Sequence, residues 1–197
     1  MKRMLKSSVA AAAFCVLLAE PARAAEAEAS APGLYQPRTT AQLPPMRVAV
    51  IDGIRLRDIE TGAVYRLSGI ETCAPGQTAT LGRQPWSCAV VATAWLINAT
   101  LNRWVVCAPV RDDGDDHVAR CATAGQRDLA AAMLREGLAV RAPAAADEPQ
   151  IRDYESAEQQ ARKSYRGLWS STFQMPWDWR AAHPAKPQTA STAEANR

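Results

Sequence analysis

The sequence predicts an α+β domain, mainly β: a small five-stranded barrel carrying three helices. Three observations predict it. Three short strand patterns follow one another before any helix, a second pair of strand patterns returns mid-chain, and two helical segments close the chain, each ending at a glycine.

The first strand is Arg47-Val48-Ala49-Val50-Ile51, apolar and β-branched. Ile54-Arg55-Leu56-Arg57-Asp58-Ile59 alternates strictly, as a half-buried strand does. Glu60-Thr61-Gly62 is a turn, and Ala63-Val64-Tyr65-Arg66-Leu67 returns. A loop rich in Gly, Gln, Thr and Pro spans Thr72 to Pro85. A helix follows from about Ser87 to Leu101, where Val91, Ala94, Trp95, Asn98 and Leu101 fall on related, mostly apolar turns. Trp104-Val105-Val106-Cys107 and His117-Val118-Ala119-Arg120-Cys121 are strands joined by an acidic loop. A short helix from Asp128 to Glu136 stops at Gly137. Asp147 is the expected N-cap of a last helix ending near Arg166 and closed by Gly167, with Tyr154, Ala157, Ala161 and Tyr165 on one face. Leu168, Trp169, Trp177 and Trp179 form a late apolar cluster, and Trp177 and Trp179 are expected to dock as a cap on the last helix. This order suits an OB-fold barrel with added helices.

The ends read differently. Met1-Lys2-Arg3-Met4-Leu5-Lys6, an apolar run from Val9 to Ala19 and the small-x-small site Ala22-Arg23-Ala24 predict a signal peptide over residues 1–24. The run is too short to span a bilayer. Residues 25–45 read as a disordered linker, 46–183 as the domain and 184–197 as a disordered tail. The expected location is the periplasm or the medium, with no membrane span once the signal is removed.

Removing the signal changes the charge. It carries Lys2, Arg3, Lys6 and Arg23 against Glu20, so 23 basic and 20 acidic residues become 19 of each. A general nucleic-acid binder keeps a basic surplus to displace counterions from phosphates. Nucleic acid is therefore disfavoured as a partner, and no particular partner is identified beyond a possible periplasmic protein.

Four cysteines remain, Cys73, Cys88, Cys107 and Cys121. In an exported chain four cysteines suggest two disulfides, and no Cys-x-x-Cys pair argues for a metal. Cys107 and Cys121 lie on the two strands of one hairpin, so the expected bridges are Cys107–Cys121 and Cys73–Cys88.

Several motifs carry a resemblance. Asp52-Gly53-Ile54-Arg55-Leu56, followed by Tyr65-Arg66-Leu67-Ser68-Gly69-Ile70-Glu71-Thr72, resembles the core of the staphylococcal nuclease (thermonuclease) family. There the first element reads Asp-Gly-Asp-Thr and the second Arg-Leu-x-Gly-Ile-Asp-Ala/Thr-Pro-Glu. Leu134-Arg135-Glu136-Gly137-Leu138-Ala139, Arg166-Gly167-Leu168-Trp169 and Pro176-Trp177-Asp178-Trp179-Arg180 are similar to later family segments. The resemblance covers about residues 46–183, in order.

It implies calcium-dependent phosphodiester hydrolysis. Carboxylates hold the cation, which prefers hard oxygen ligands. A glutamate prepares the attacking water, and two arginines stabilise the charge on phosphorus. On this alignment one metal aspartate falls on Ile54, the catalytic glutamate on Ala74, and the second arginine on or near Asp116. Arg66 is the retained family arginine. Glu71 replaces the other metal aspartate, and Thr72 could offer its carbonyl to a cation. The family's stacking tyrosine is gone from the Asp112–Asp116 turn, and the segment after Ala139 reads Val140-Arg141-Ala142-Pro143.

Losing a general base or a charge-stabilising donor costs about 10²–10⁴ in rate each. The expectation is an exported family member without useful nuclease activity, acting as a binding or scaffold domain and requiring no cofactor. Two alternatives stay open: a Ca²⁺-dependent nuclease using rearranged carboxylates such as Glu71 with Asp52, and a nucleic-acid binding module without catalysis. Arg66 is expected to pair with Glu71. The acidic turn is expected to be a solvated hairpin tip, with weak Ca²⁺ binding there an open possibility.

Overall fold

Alternation of apolar and polar residues builds the first hairpin. In the computed structural model β1 (Val48–Val50), β2 (Arg55–Asp58) and β3 (Val64–Leu67) form an antiparallel meander. Leu56, Tyr65 and Leu67 point into the core, while Arg57 faces solvent. The structure describes residues 42–143 and 150–184. The expected signal peptide, all but the last residues of the linker, the tail beyond Pro184 and the expected cap Asp147 lie outside the described residues.

After β3 the chain forms β4 (Ile70–Glu71), β5 (Ala79–Leu81) and β6 (Gln84–Trp86), then α1 (Cys88–Thr100). The long hairpin β7 (Val105–Asp113) and β8 (Asp116–Thr123) follows, with β8 parallel to β3. The five-stranded sheet therefore runs β1-β2-β3-β8-β7. Its ladder does not close into a barrel. The two edges meet at a single bridge, where the Met46 and Val105 amides exchange hydrogen bonds of 2.8 and 2.9 Å. Pro109 cannot donate to a ladder, and the register shifts between Pro109 and Arg111, leaving Val110 at a bulge.

The chain ends on α2 (Leu129–Arg135), β9 (Val140–Arg141, paired with β4), α3 (Ile151–Lys163), a 3-10 turn at 167–170 and α4 (Pro176–Ala182). The expectation of three helices is thus one short. Pro176 at the first helical position starts α4, which holds Trp177 and Trp179 of the late apolar cluster and is too short to show helical periodicity. Asp128 caps α2, its carboxylate accepting from the Ala131 amide at 3.0 Å.

The main core lies between the sheet and the first three helices, with Leu56, Leu67, Leu96, Leu129, Met133, Leu134 and Tyr154 at its centre. A second cluster gathers Cys73, Ala79, Cys88, Val140 and Leu168, with Trp86, Trp169, Phe173 and Trp177 packed against it. Two readings of helix faces need correction. Tyr154, Ala157 and Ala161 are buried, but Tyr165 lies beyond the end of α3 at positive φ and is exposed. On α1 the inward residues are Cys88, Ala92, Leu96, Ala99 and Thr100, whereas Val91, Ala94, Asn98 and Leu101 face solvent.

Candidate functional site

A cleft of about 730 Å³ opens between the β1–β2 loop, the strand end at Glu71–Thr72, the loop after it, α1 and α4. Each wall has a local cause. The Asp52 carboxylate accepts from the amides of Ile54 (3.0 Å) and Arg55 (2.9 Å) and from the Arg55 Nε (2.7 Å), folding the β1–β2 loop on itself. Gly53 is buried against the next wall: a Cβ there would lie 2.7 Å from the Thr72 hydroxyl and 3.1 Å from Ala92. The Asp-Gly pair is therefore accounted for by the close approach of this loop to α1.

Ile54 lines the cleft and packs against the main core. Ala74 is buried opposite, on the loop fixed by Gln77. The Gln77 side-chain oxygen accepts from the Ala74 amide at 2.9 Å, and its amide nitrogen donates to the Gln174 carbonyl at 2.6 Å. The disulfide Cys73–Cys88 ties the same loop to the first turn of α1, with a Cα–Cα distance of 5.8 Å. The second disulfide, Cys107–Cys121, joins directly paired residues of β7 and β8 away from the cleft.

Most of the charged side chains of the cleft are matched in pairs. Arg66 does not reach Glu71, contrary to expectation. It donates to the Asp113 carboxylate from the acidic hairpin tip, while Glu71 accepts from Arg180 of α4 at 3.0 Å. The reason lies in register. β3 runs beside β8 with Val64 opposite Asp116, which brings the tip of the β7–β8 hairpin over Arg66. Glu71 lies beyond the turn at Ser68–Gly69 and faces α4. Asp112 in turn holds His117 Nδ1 at 2.7 Å. The tip is exposed from Asp112 to Asp115 and is tied to its neighbours at Asp112 and Asp113. Asp116 lines the cleft where the alignment puts an arginine.

Sequence reasoning missed Arg180 and Gln77 as parts of this site. Arg180 sits within the segment Pro176–Arg180 that the sequence marked, but nothing in its spacing places α4 at the cleft. Gln77 lies in a loop whose polar composition gives no sign that one amide is buried. Trp179 stacks on His183, ring centroids 4.3 Å apart, and its edge lies 3.8 Å from where a Gly76 Cβ would sit. Trp177 packs on the second core cluster.

With this geometry in view, comparison with known families is decisive for the fold. The profile of a family described as staphylococcal nuclease homologue matches residues 64–171, more than half of the chain. This chain belongs to the staphylococcal nuclease family. The matched span holds Arg66, Glu71, Thr72 and Ala74, but stops short of Arg180 and begins after Asp52–Ile54. No match is found among curated proteins.

The family's calcium can be tested against this nuclease-family site. The side chains present do not fit it. Ile54 offers no oxygen, Asp52 is engaged by its own loop, and Glu71 is held by a guanidinium. Among the described residues no three His, Cys, Asp or Glu side chains gather closely enough to hold a metal ion. The cleft can instead take an apolar group between Ile54, Ala74 and the cleft face of α1, with a rim of mostly paired charges. Among the described residues, no helix is long and apolar enough to cross a membrane.

Proposed function

We propose that this protein is an exported, disulfide-stabilised member of the nuclease family that does not hydrolyse phosphodiesters and serves as a binding or scaffold domain. The observation that carries the reading is the chemistry of the cleft floor: Ile54 and Ala74 stand where the family's mechanism needs a metal ligand and a general base. Carbon at both positions removes two functions that neighbouring side chains do not replace, because Asp52 and Glu71 already have partners. Asp116 opposes phosphate approach electrostatically, since like charges across a shared cleft repel. Export supports the disulfides, and the disulfides support export, since such bonds persist in oxidising compartments.

The reading is tested by incubating the protein, purified after export, with single-stranded DNA and with RNA, in Ca²⁺ or in chelator. No difference between the two conditions is expected, and Arg66→Ala leaves the substrates as the parent protein does. Cation-dependent cleavage that Arg66→Ala abolishes would overturn the reading.

A further inference from the structure

Helix α1 contains no charged residue. Its inner face is buried, and its outer face is mostly apolar, with Asn98 the exposed polar side chain. Val90, Ala94, Ile97 and the capping residue Leu101 recur three and four positions apart, forming one stripe opposite the core. Val90 is 65% exposed, Ile97 42% and Leu101 58%, with Val91 and Ile51 beside them also exposed. A helix apolar all round is ordinarily buried on every side. Here one side has no cover among the described residues.

We infer that this stripe is a homodimer interface, occupied by α1 of a second copy of the chain. The pattern is self-complementary. A two-fold axis through Ala94 sets the smallest side chain of each stripe against its equivalent and brings Val90 of one copy over Ile97 of the other. Such an isologous contact requires that the patch not repel itself, and a stripe without charges meets that condition. The exposed apolar residues of α1 with Ile51 present on the order of 500 Å² per copy, so a symmetric pair that covers them all buries about 1,000 Å² in total, the least expected of a specific interface.

Pairing has a consequence for the cleft. Val90, Ala94 and Ile97 line its mouth as well as the stripe. The second copy therefore roofs each cleft with its own α1, and two clefts face each other across the axis. The inference goes beyond the loss of chemistry in the cleft and does not depend on it. A hydrolytic result would overturn that reading alone, and a monomer would overturn this one alone.

Light scattering coupled to size exclusion tests it on the exported protein, from micromolar to near-millimolar concentration. A mass of two chains is expected for the parent protein. Ala94→Arg places two guanidinium groups at the axis and raises the dissociation constant at least about a hundredfold, with the far-ultraviolet circular dichroism unchanged. Val90→Lys, at a more exposed position, does the same and decides the question if Ala94→Arg fails to fold. Arg152→Glu on α3 leaves the dimer intact. A parent protein that stays monomeric throughout, or a dimer that survives both α1 substitutions, would overturn the inference.

Discussion

Arg66 and Glu71 are each held by a partner that the sequence did not suggest, Asp113 and Arg180. Magnitudes decide how much weight these pairs bear. Ion pairs with one exposed partner contribute about 0–1 kcal/mol, so a tightly binding anion could displace them. Ile54 and Ala74 are different, because no rearrangement of side chains turns carbon into a ligand or a base. Among the other carboxylates, Asp58 shows how local geometry sets a titration. The Thr61 hydroxyl donates to it at 2.6 Å and the Glu60 amide at 3.0 Å. These bonds hold its pKa below the ordinary aspartate value, the Thr61 hydroxyl contributing most. The depressed native pKa means the stabilisation is complete above about pH 4 and is lost as pH falls through the native value. Thr61→Val therefore costs about 1 kcal/mol near pH 7 and less near pH 2, read from urea unfolding at the two conditions.

Between elements, the tightest join is the crossing of the two glycine-bearing family segments. Gly137 ends α2 at φ +67° and Gly167 follows α3 at φ +54°. A Cβ on Gly137 would fall 2.1 Å from the Arg166 carbonyl oxygen, and one on Gly167 would fall 2.4 Å from the Gly137 carbonyl oxygen, the atom that accepts from the Leu168 amide. Backbone cannot give way as a flexible side chain can. Gly137→Ala is expected to cost about 2–4 kcal/mol, through positive φ and contact together, measured as a fall in the thermal or urea midpoint. The sequence signalled both glycines as helix ends, but not that they meet. Most elements were legible: β2 by its alternation, α2 by Asp128 and Gly137, and the β7–β8 hairpin by its paired apolar runs around an acidic tip. The face of α1 was not, because apolar residues occur on every side of it and leave little periodicity to read. The pairing of Glu71 with Arg180 was not either, since it depends on where α4 docks, more than a hundred residues along the chain from the strand it meets.

As a whole, the domain combines a sheet whose edges meet at one bridge with three constraints near the cleft: the Cys73–Cys88 bond, the Gln77 contacts and the Glu71–Arg180 pair. A disulfide closing a loop of this length stabilises by about 3 kcal/mol, a large share of the 5–15 kcal/mol that holds a typical domain. Three stabilising features thus gather around a cleft lined by Ile54 and Ala74. We propose that this frame surrounds a site that holds no cation. A cleavage assay depends on the substrate chosen, whereas cation binding does not. Calorimetric titration of the purified, disulfide-bonded protein with Ca²⁺ is therefore the most direct measurement. No saturable heat is expected. Saturable binding that Glu71→Gln abolishes would contradict it.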